Sequence, residues 1–220
     1  MSKIDICISI IQTIKDYLFS TEKLKKHHEK KHFSRKRKLS LFQVILFLIY
    51  SSKASMNINI SRIRDELPIV FPNVSKQAVS KARQHIKPSL FKDFFDISVS
   101  IFYSKLPSRK TWNSYHIFAV DGSKLELPNS KSNFEHFGKM FTTVYKKVYT
   151  MALASMIYDV LEDYIVHASI DEYLASERAA AREHLASLKK LNIHKNSIVI
   201  FDRGYYSKDF FRFCSAAGFL

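Results

Sequence analysis

Two aspartates share one local pattern, since each directly follows a run of apolar, β-branched and aromatic residues. Asp121 follows residues 117–120 and precedes Gly122, and Asp202 follows residues 198–201. Apolar runs of this length are typical of buried strands, and the loops at the carboxyl ends of strands often carry functional groups. The pattern therefore predicts two carboxylates at strand ends.

Such a pair of carboxylates could bind a cation. Parallel neighbouring strands lie about 4.7–4.9 Å apart, which lets their carboxylates share an ion. Mg²⁺ prefers oxygen ligands, and two metals about 3.5–4 Å apart can activate the attacking oxygen and stabilise the leaving oxygen of a phosphodiester. For either residue alone a turn is the plainer interpretation, because Asp bonds to its own backbone and Gly tolerates positive φ. The matching contexts of Asp121 and Asp202 favour the metal site.

The charge of the chain favours a polyanionic partner. The 220 residues contain 35 Lys and Arg against 20 Asp and Glu, a formal charge of +15. Residues 21–40 contain nine of these basic residues and two Glu, a local balance of +7. Charge alone leaves both nucleic acid and an acidic membrane surface open. A solvated basic linker is the plainer interpretation of the same stretch.

Composition favours an intracellular protein. Cys7 and Cys214, near opposite ends of the chain, give neither a disulfide framework nor a metal-knuckle spacing. The most apolar run, residues 41–50, has about half the length of a membrane-spanning helix. Residues 1–19 have the spacing of an amphipathic helix and no cleavage site, unlike a signal peptide.

The first half of the sequence has helical periodicity. Helices are expected over residues 1–19, 41–50, 62–67 and 91–103, with a polar break over residues 51–59. A further helix is expected to begin at Ser75, whose hydroxyl can cap a first turn, and to run to Lys87. One face of this helix carries Lys76, Arg83 and Lys87, a basic strip that is a candidate DNA contact.

Short β-branched and aromatic runs replace the helical spacing after Pro107, and we place a domain boundary near Ser108. Strands are expected over residues 115–120, 147–156, 164–170 and 197–201, with a helix over residues 177–191. This succession predicts an α/β domain with a mixed sheet, and an α+β protein when the helical half is included. The domains expected are residues 1–107 and 108–220.

An ordered set of motifs carries a resemblance to a known family. In the second half the motifs are Val120-Asp121-Gly122-Ser123 with Leu127-Pro128, His136-Phe137-Gly138, Ser176-Glu177-Arg178 and Asp202-Arg203-Gly204-Tyr205. In the first half they are Arg35-Lys36-Arg37-Lys38-Leu39, Ser75-Lys76-Gln77-Ala78 and Ser80-Lys81-Ala82-Arg83. In this order they resemble the DDE transposases of bacterial insertion sequences, of the large IS-four type.

The resemblance implies a ribonuclease-H-like catalytic fold behind a helical DNA-binding region. It implies that Asp121 and Asp202 are the first and second acids of a triad that binds Mg²⁺, with Mn²⁺ as a substitute. The DNA-binding residues expected are Arg35, Lys36, Arg37, Lys38, Lys76, Arg83, Lys87 and Arg203. The implied partners are double-stranded DNA, at element ends and target sites, and a second copy of the intact protein. The implied location is the bacterial cytoplasm, in association with the nucleoid.

The third acid of that family is a glutamate on a later helix, and no residue of this chain matches it. The sequence ends eighteen residues after Asp202, so we expect an N-terminal fragment with an incomplete catalytic domain that is inactive alone. The alternative is a non-enzymatic DNA-binding protein that competes for element ends. A protein that binds a membrane surface through its basic stretch is a third candidate.

Other candidate groups have plainer interpretations. Glu177 is expected to complement the positive end of its own helix. No Cys or acidic partner follows His27, His28 and His32 at zinc-ligand spacing, so these histidines are expected to belong to the basic face. The sequence shows no nucleophilic Ser or Cys arrangement and no phosphate-binding Gly loop.

Overall fold

The computed structural model describes residues 2–29, 31–33, 38–142 and 147–219. These residues form two compact units, Met1–Lys105 and Leu106–Leu220. We call them the helical unit and the sheet unit. Each is described by itself.

The described part of the helical unit consists of helices, and most of them begin after a serine N-cap. They are α1 (Lys3–Phe19), α2 (Thr21–Lys25), α3 (Leu41–Tyr50), α4 (Met56–Glu66), α5 (Lys76–Arg83) and α6 (Ser89–Lys105). A first-turn amide donates to the side chain of each of the caps Ser2, Ser20, Ser40, Ser55 and Ser75. Because the first amides of a helix have no partner within it, these caps fix where the helices begin.

The core of the helical unit is built from the apolar faces of its helices. Val44 and Ile45 of α3, Ile63 of α4, Val79 of α5 and Leu90 of α6 are all fully buried. Burial of one such side chain contributes about 1.5–3 kcal/mol. The most apolar run of the sequence is thus a core helix. Among the described residues, no helix is both long and apolar enough to cross a membrane.

The break predicted over residues 51–59 is wrong in its second part. Helix α4 begins at Met56 within it. The buried side chain of Asn59 donates to the main-chain oxygens of Ser52 and Ala54, at 3.1 and 3.0 Å. These hydrogen bonds give the buried side-chain amide of Asn59 its partners. A polar residue that predicts a break in the sequence can therefore lie inside the helix.

The basic helix is shorter than predicted. Helix α5 ends at Arg83, because the amide of Lys87 donates to the carbonyl oxygen of His27 (2.8 Å) and not to its own helix. Pro88 follows and cannot continue a helix ladder. Lys87 is therefore off the helix that carries Lys76 and Arg83.

The sheet unit contains the predicted strands and the predicted helix. Its elements are β1 (His116–Leu127), α7 (Lys131–Phe137), β2 (Met140–Thr142), β3 (Lys147–Asp159), β4 (Tyr164–Glu172), α8 (Glu177–Lys190), β5 (Ser197–Ile200), a 3-10 helix (Arg203–Tyr205) and α9 (Lys208–Ala216). Helix α8 packs on β3 and β4. Its buried face includes Ala181, Leu185 and Leu188.

The sheet is mixed, which confirms the predicted fold class. Strand β1 pairs antiparallel with β3 along one edge and parallel with β5 along the other. Strand β3 also pairs antiparallel with β4 and, at its start, with β2. The first acidic residue of the pair therefore lies on a strand with a neighbour on each side.

Strand β1 is longer than predicted and does not end at Asp121. Its pairing with β3 continues to Leu127, whereas the parallel pairing with β5 stops at Ala119 and Ile200. The turn interpretation of Asp121 is therefore wrong, and so is its placement at the carboxyl end of a strand. Asp121 lies within the strand, two residues past the end of the parallel ladder.

Candidate active site

Asp121 presents an exposed carboxylate from the middle of β1. Its Oδ1 accepts a hydrogen bond from the amide of Gly122 at 2.8 Å. The preceding Val120 is buried, because successive side chains of a strand point to opposite faces. Core packing of one face thus sets the direction of the carboxylate on the other.

Asp202 is also exposed, and it follows the last residue of β5 by two positions. Its Oδ1 accepts a hydrogen bond from the amide of Gly204 at 2.7 Å, which caps the short 3-10 helix. Ala119 and Ile200 form the last pair of the parallel ladder, and Asp121 likewise lies two residues after Ala119. The two aspartates therefore hold equivalent positions past the end of the parallel ladder, Asp121 within β1 and Asp202 after the end of β5.

A buried tyrosine links the environments of the acidic side chains. Tyr205 is 2% exposed. Burial, followed by the negative charge of Glu177, raises the pKa of its hydroxyl to about 12, and Asp121 and Asp202 act in the same direction. Carboxylates have such an effect only within electrostatic range of the group they act on. The negative charges of Glu177, Asp121 and Asp202 thus all act on this one buried hydroxyl.

Glu177 is the member of this group that the sequence did not assign to the site. Its Cγ and Cδ atoms lie 3.5 Å from where a Cβ atom would stand on Gly122. The first residue of α8 therefore lies close to β1 at Gly122, at a distance where a Cβ atom would make ordinary van der Waals contact. Glu177 is in the first turn of α8, as the sequence predicts, and its side chain also lies against Gly122. The Ser176-Glu177-Arg178 motif was the sequence signal for its place.

The carboxylate oxygens of Asp121, Asp202 and Glu177 are of the type that hard divalent cations bind, but they are not tightly grouped. Mg²⁺ prefers carboxylate oxygens. Among the described residues, Asp121 and Asp202 each accept a main-chain hydrogen bond at Oδ1, which leaves Oδ2 for a ligand. Within the same residues, the three carboxylates do not meet with one oxygen each inside 4.8 Å. A cation bound here would keep much of its shell as water and substrate oxygens.

Cationic side chains border the acidic group. The Nη2 atom of Arg178 donates to the carbonyl oxygen of Gly204 at 3.2 Å, which ties the start of α8 to the loop after Asp202. Lys124 lies over the ring of Tyr173, with its Nζ atom 4.4 Å from the ring centroid. These residues line one cavity of about 310 Å³ together with Glu177. A phosphate in this cavity would meet positive charge from Arg178 and Lys124 beside Glu177.

Hydrogen bonds connect β1 to the buried side of the sheet. The hydroxyl of Ser155 donates to the main-chain oxygen of Asp121 at 3.3 Å. The same hydroxyl lies 2.9 Å from Nε2 of His184, a fully buried residue of α8. Burial lowers the pKa of His184 to about 4, and the neighbouring His167 adds to this effect. A neutral histidine therefore lies beneath the strand that carries Asp121.

The structure places the predicted DNA-binding residues in three groups. Arg35, Lys36 and Arg37 lie outside the described residues. Lys38, Lys76, Arg83 and Lys87 are exposed in the helical unit, and Arg203 is exposed in the sheet unit beside Asp202. Exposure leaves these side chains accessible to a ligand, and their DNA-binding role remains a prediction.

The class of protein that the comparisons with known proteins return is the transposase. By sequence, the chain is similar to a putative transposase, InsZ of Escherichia coli (strain K12), with 23% identity over 137 residues. The match covers 62% of this chain and 44% of InsZ, so the chain spans less than half the length of that relative. No protein-family model matches the chain.

Two solved structures of Mos1 transposase were also found. One is a crystal structure of a pre-cleavage Mos1 transpososome. The match covers 87% of this chain and 60% of the Mos1 chain. The other is a Mos1 transposase paired-end complex with the left transposon end. Here the match covers 100% of this chain and 67% of the Mos1 chain. Both have 10% identity and a TM-score of 0.33. A TM-score this low does not establish a shared fold.

Proposed function

We propose that the chain is part of a DDE-type DNA transposase of the IS-four kind. Residues 1–107 would bind DNA and residues 108–220 would carry the catalytic sheet. The similarity to InsZ, the ordered motifs and the charge of +15 support this proposal. The observation that carries it is the equivalent placement of Asp121 and Asp202 beyond the last residue pair of β1 and β5.

The connectivity of the sheet supports a ribonuclease-H-like catalytic domain. Strands β1, β3 and β4 form an antiparallel series, α8 follows, and β5 then pairs parallel with β1. This connectivity brings the first acid and the second acid to adjacent strands although 81 positions separate them. The family resemblance requires such a meeting of its first two acids.

Asp121 and Asp202 would hold Mg²⁺, or Mn²⁺ in its place. When bound, the cation would supply Lewis-acid stabilisation of the charge on a phosphodiester. The amides of Gly122 and Gly204 orient the two carboxylates through Oδ1. Glu177 lies against Gly122, the residue after Asp121, and adds a further negative charge near Tyr205. The chain's own contribution is thus a set of oriented carboxylates on a rigid sheet.

Double-stranded DNA, at element ends and target sites, is the proposed partner. Lys76 and Arg83 would face it from α5, with Lys38, Lys87 and Arg203 as further cationic contacts. Phosphate contacts of this kind release counterions, so binding should weaken as salt rises. A homodimer of the intact protein and a bacterial cytoplasmic, nucleoid-associated location belong to the same proposal.

Strand transfer by these 220 residues alone is not expected. In the family that the chain resembles, a glutamate on a later helix completes the triad, and no residue here is matched to it. A non-enzymatic DNA-binding protein that competes for element ends is the second candidate. The loose grouping of the three carboxylates favours it, since a preformed metal site would have closer ligands.

Gel shifts with DNA from the flanks of the coding sequence test the proposal. The purified chain should retard duplexes that end in the terminal repeats more strongly than random duplexes of equal length. Addition of Mg²⁺ should strengthen this binding, and Asp121→Asn and Asp202→Asn should abolish the metal-dependent part. Asp96→Asn on α6 removes an equal charge and should change nothing. Binding that ignores metal and both substitutions leaves only the second candidate, and an absence of retardation contradicts both.

A further inference from the structure

Two histidines and a glutamate meet in the helical unit. One ligand atom each from Glu29, His32 and His85 lies within 4.8 Å of the other two. The Nε2 atom of His32 is 3.2 Å from Oε2 of Glu29, and the rings of His32 and His85 stack with centroids 3.4 Å apart. We propose that this cluster binds a transition-metal ion, of which Zn²⁺ fits the donors best.

Main-chain hydrogen bonds bring the two contributing segments together. His28 and Ile86 form an antiparallel bridge, and the amide of Lys87 donates to the carbonyl oxygen of His27 at 2.8 Å. The amide of His32 donates to the carbonyl oxygen of Glu29 at 2.9 Å, which closes a turn between these two residues. The backbone therefore places the donors before any ion binds, which lowers the cost of ordering them.

The donor set distinguishes the ion. Imidazole nitrogen and carboxylate oxygen are ligands of Zn²⁺, at about 2.0–2.2 Å in a tetrahedral arrangement, whereas Mg²⁺ and Ca²⁺ favour oxygen ligands. Three protein donors leave the fourth position to water. Binding requires the two stacked rings to rotate so that one nitrogen of each points at the ion. Glu29 is exposed and both histidines are half-buried, which leaves room for this rotation and a path for the ion.

The metal ion would join two parts of the proposed DNA-binding surface. Glu29 and His32 belong to the basic residues 21–40, and His85 follows α5, which carries Lys76 and Arg83. The cluster adjoins a cavity of about 440 Å³ that is also lined by Lys38 and Lys81. An ion at this point cross-links the basic stretch to α5. The metal site itself does not depend on the proposed transposase activity.

Zinc titration of the full chain tests this site. The protein should carry no polyhistidine tag and should have Cys7, an exposed thiol, replaced by serine, so that neither competes for the metal. After dialysis against a chelator, competition with a chromogenic zinc indicator should show one site per chain, in an Asp121→Asn and Asp202→Asn background so that the proposed carboxylate site binds no second ion. His32→Ala, His85→Ala and Glu29→Gln should each weaken binding tenfold or more. His136 is an exposed residue of α7 and lies outside the cluster. His136→Ala therefore removes an imidazole elsewhere and should leave the zinc affinity unchanged.

Two results would overturn the site. One is equal zinc affinity in the parent protein and in the variants of the cluster, since the ion would then be bound elsewhere. The other would come from X-ray absorption of the zinc-loaded parent protein. The proposed site predicts two imidazole ligands at the ion. Fewer than two imidazoles rejects the site even where a variant fails to fold. A circular dichroism spectrum of each metal-free variant identifies such failures.

Discussion

The Nδ1 atoms of His167 and His184 lie 2.8 Å apart, so one ring must donate a proton to the other. The proton of Ser155 is used on the main-chain oxygen of Asp121, and Nε2 of His184 therefore donates to Ser155. It follows that His184 accepts at Nδ1 and is neutral, with His167 as the donor. A second proton on His184 would set two N–H groups against each other beneath β1.

Mild acid is expected to destabilise the sheet unit. The pKa of His184 is lowered to about 4 by burial and by His167, whereas an unfolded histidine titrates near 6.5. Since the unfolded state binds more protons between these values, the free energy of unfolding should fall as pH drops from about 6.5 to about 4. The expected loss is about 2–3 kcal/mol. Urea unfolding at stepped pH, followed by circular dichroism, measures it.

A matched pair of variants assigns this pH dependence to one residue. His184→Gln keeps an N–H donor for Ser155 and removes the titrating ring, so its stability should change less between these pH values. His136→Ala removes an exposed histidine of the same unit and should keep the dependence of the parent protein. A parent profile without any loss over this interval would show that His184 is not a buried neutral histidine.

Tyr205→Phe is expected to leave the sheet unit as stable as before or to stabilise it by about 1 kcal/mol. The Tyr205 hydroxyl is buried and has no hydrogen-bond partner among the residues that the structure describes. Ser155 lies close enough to lower its pKa slightly, but the two hydroxyls do not meet with hydrogen-bond geometry. A buried unsatisfied group costs about 1–3 kcal/mol, so its removal relieves a penalty. Chemical unfolding provides the measurement, with Tyr206→Phe, an exposed neighbour, as the control. Destabilisation by more than about 1 kcal/mol would reveal a bond that the hydroxyl makes.

Asp93→Asn is expected to destabilise the helical unit. Asp93 accepts hydrogen bonds from Lys26 (2.7 Å) and from the hydroxyl of Tyr17 (2.6 Å), which lower its pKa to about 2. A depressed carboxylate pKa stabilises the fold above about pH 4, and this contribution is lost as pH falls through about 2. The variant should lose about 1–2 kcal/mol at neutral pH, a figure reduced for partial exposure.

Thermal unfolding of Asp93→Asn at pH 7 and near pH 2.5 measures that loss and its pH dependence. The deficit should shrink at the lower pH. Asp96→Asn, one turn along the exposed side of α6, gives the charge-matched control and should unfold like the parent. A deficit of equal size at both pH values would contradict the ionic origin of the effect.

Neutralisation of the cations on α5 is expected to weaken DNA binding. Lys76→Ala combined with Arg83→Ala should lower affinity at least fivefold and reduce the slope of log K against log salt by about 1–2, because two phosphate contacts are lost. Fluorescence anisotropy over a range of salt concentrations measures both. The control is Lys189→Ala combined with Lys190→Ala at the end of α8, which removes the same charge and should weaken DNA binding less. Equal weakening by the two pairs would contradict a specific role for α5.

The elements were largely predictable because hydrophobic periodicity is a local property. The apolar face of α3 and the apolar runs of β3 and β4 appear directly in the sequence. The end of β1 was not predictable, because Asp121, Gly122 and Lys124 are poor strand formers. Pairing with β3, a contact over about 30 residues, holds them extended.

The membership of both candidate sites depends on contacts between distant residues. Glu177 lies against β1 only because α8 returns over the sheet at Gly122. His85 reaches His32 only because the chain after α5 pairs with residues 27 and 28. Sequence spacing shows neither approach, so Glu177 was assigned to a helix end, His32 was assigned to a basic face, and His85 was not singled out.

Manganese binding tests whether Asp121 and Asp202 hold one cation together. Mn²⁺ replaces Mg²⁺ at oxygen sites, and its electron paramagnetic resonance signal reports the free ion during a titration. The experiment should use a His85→Ala background, so that the histidine cluster adds no second site. Asp121→Asn and Asp202→Asn should each weaken binding at least tenfold, and the double variant should be little weaker than either, because both act on the same ion. Equal affinity in the parent, both Asn variants and the Asp96→Asn control would contradict the shared metal site.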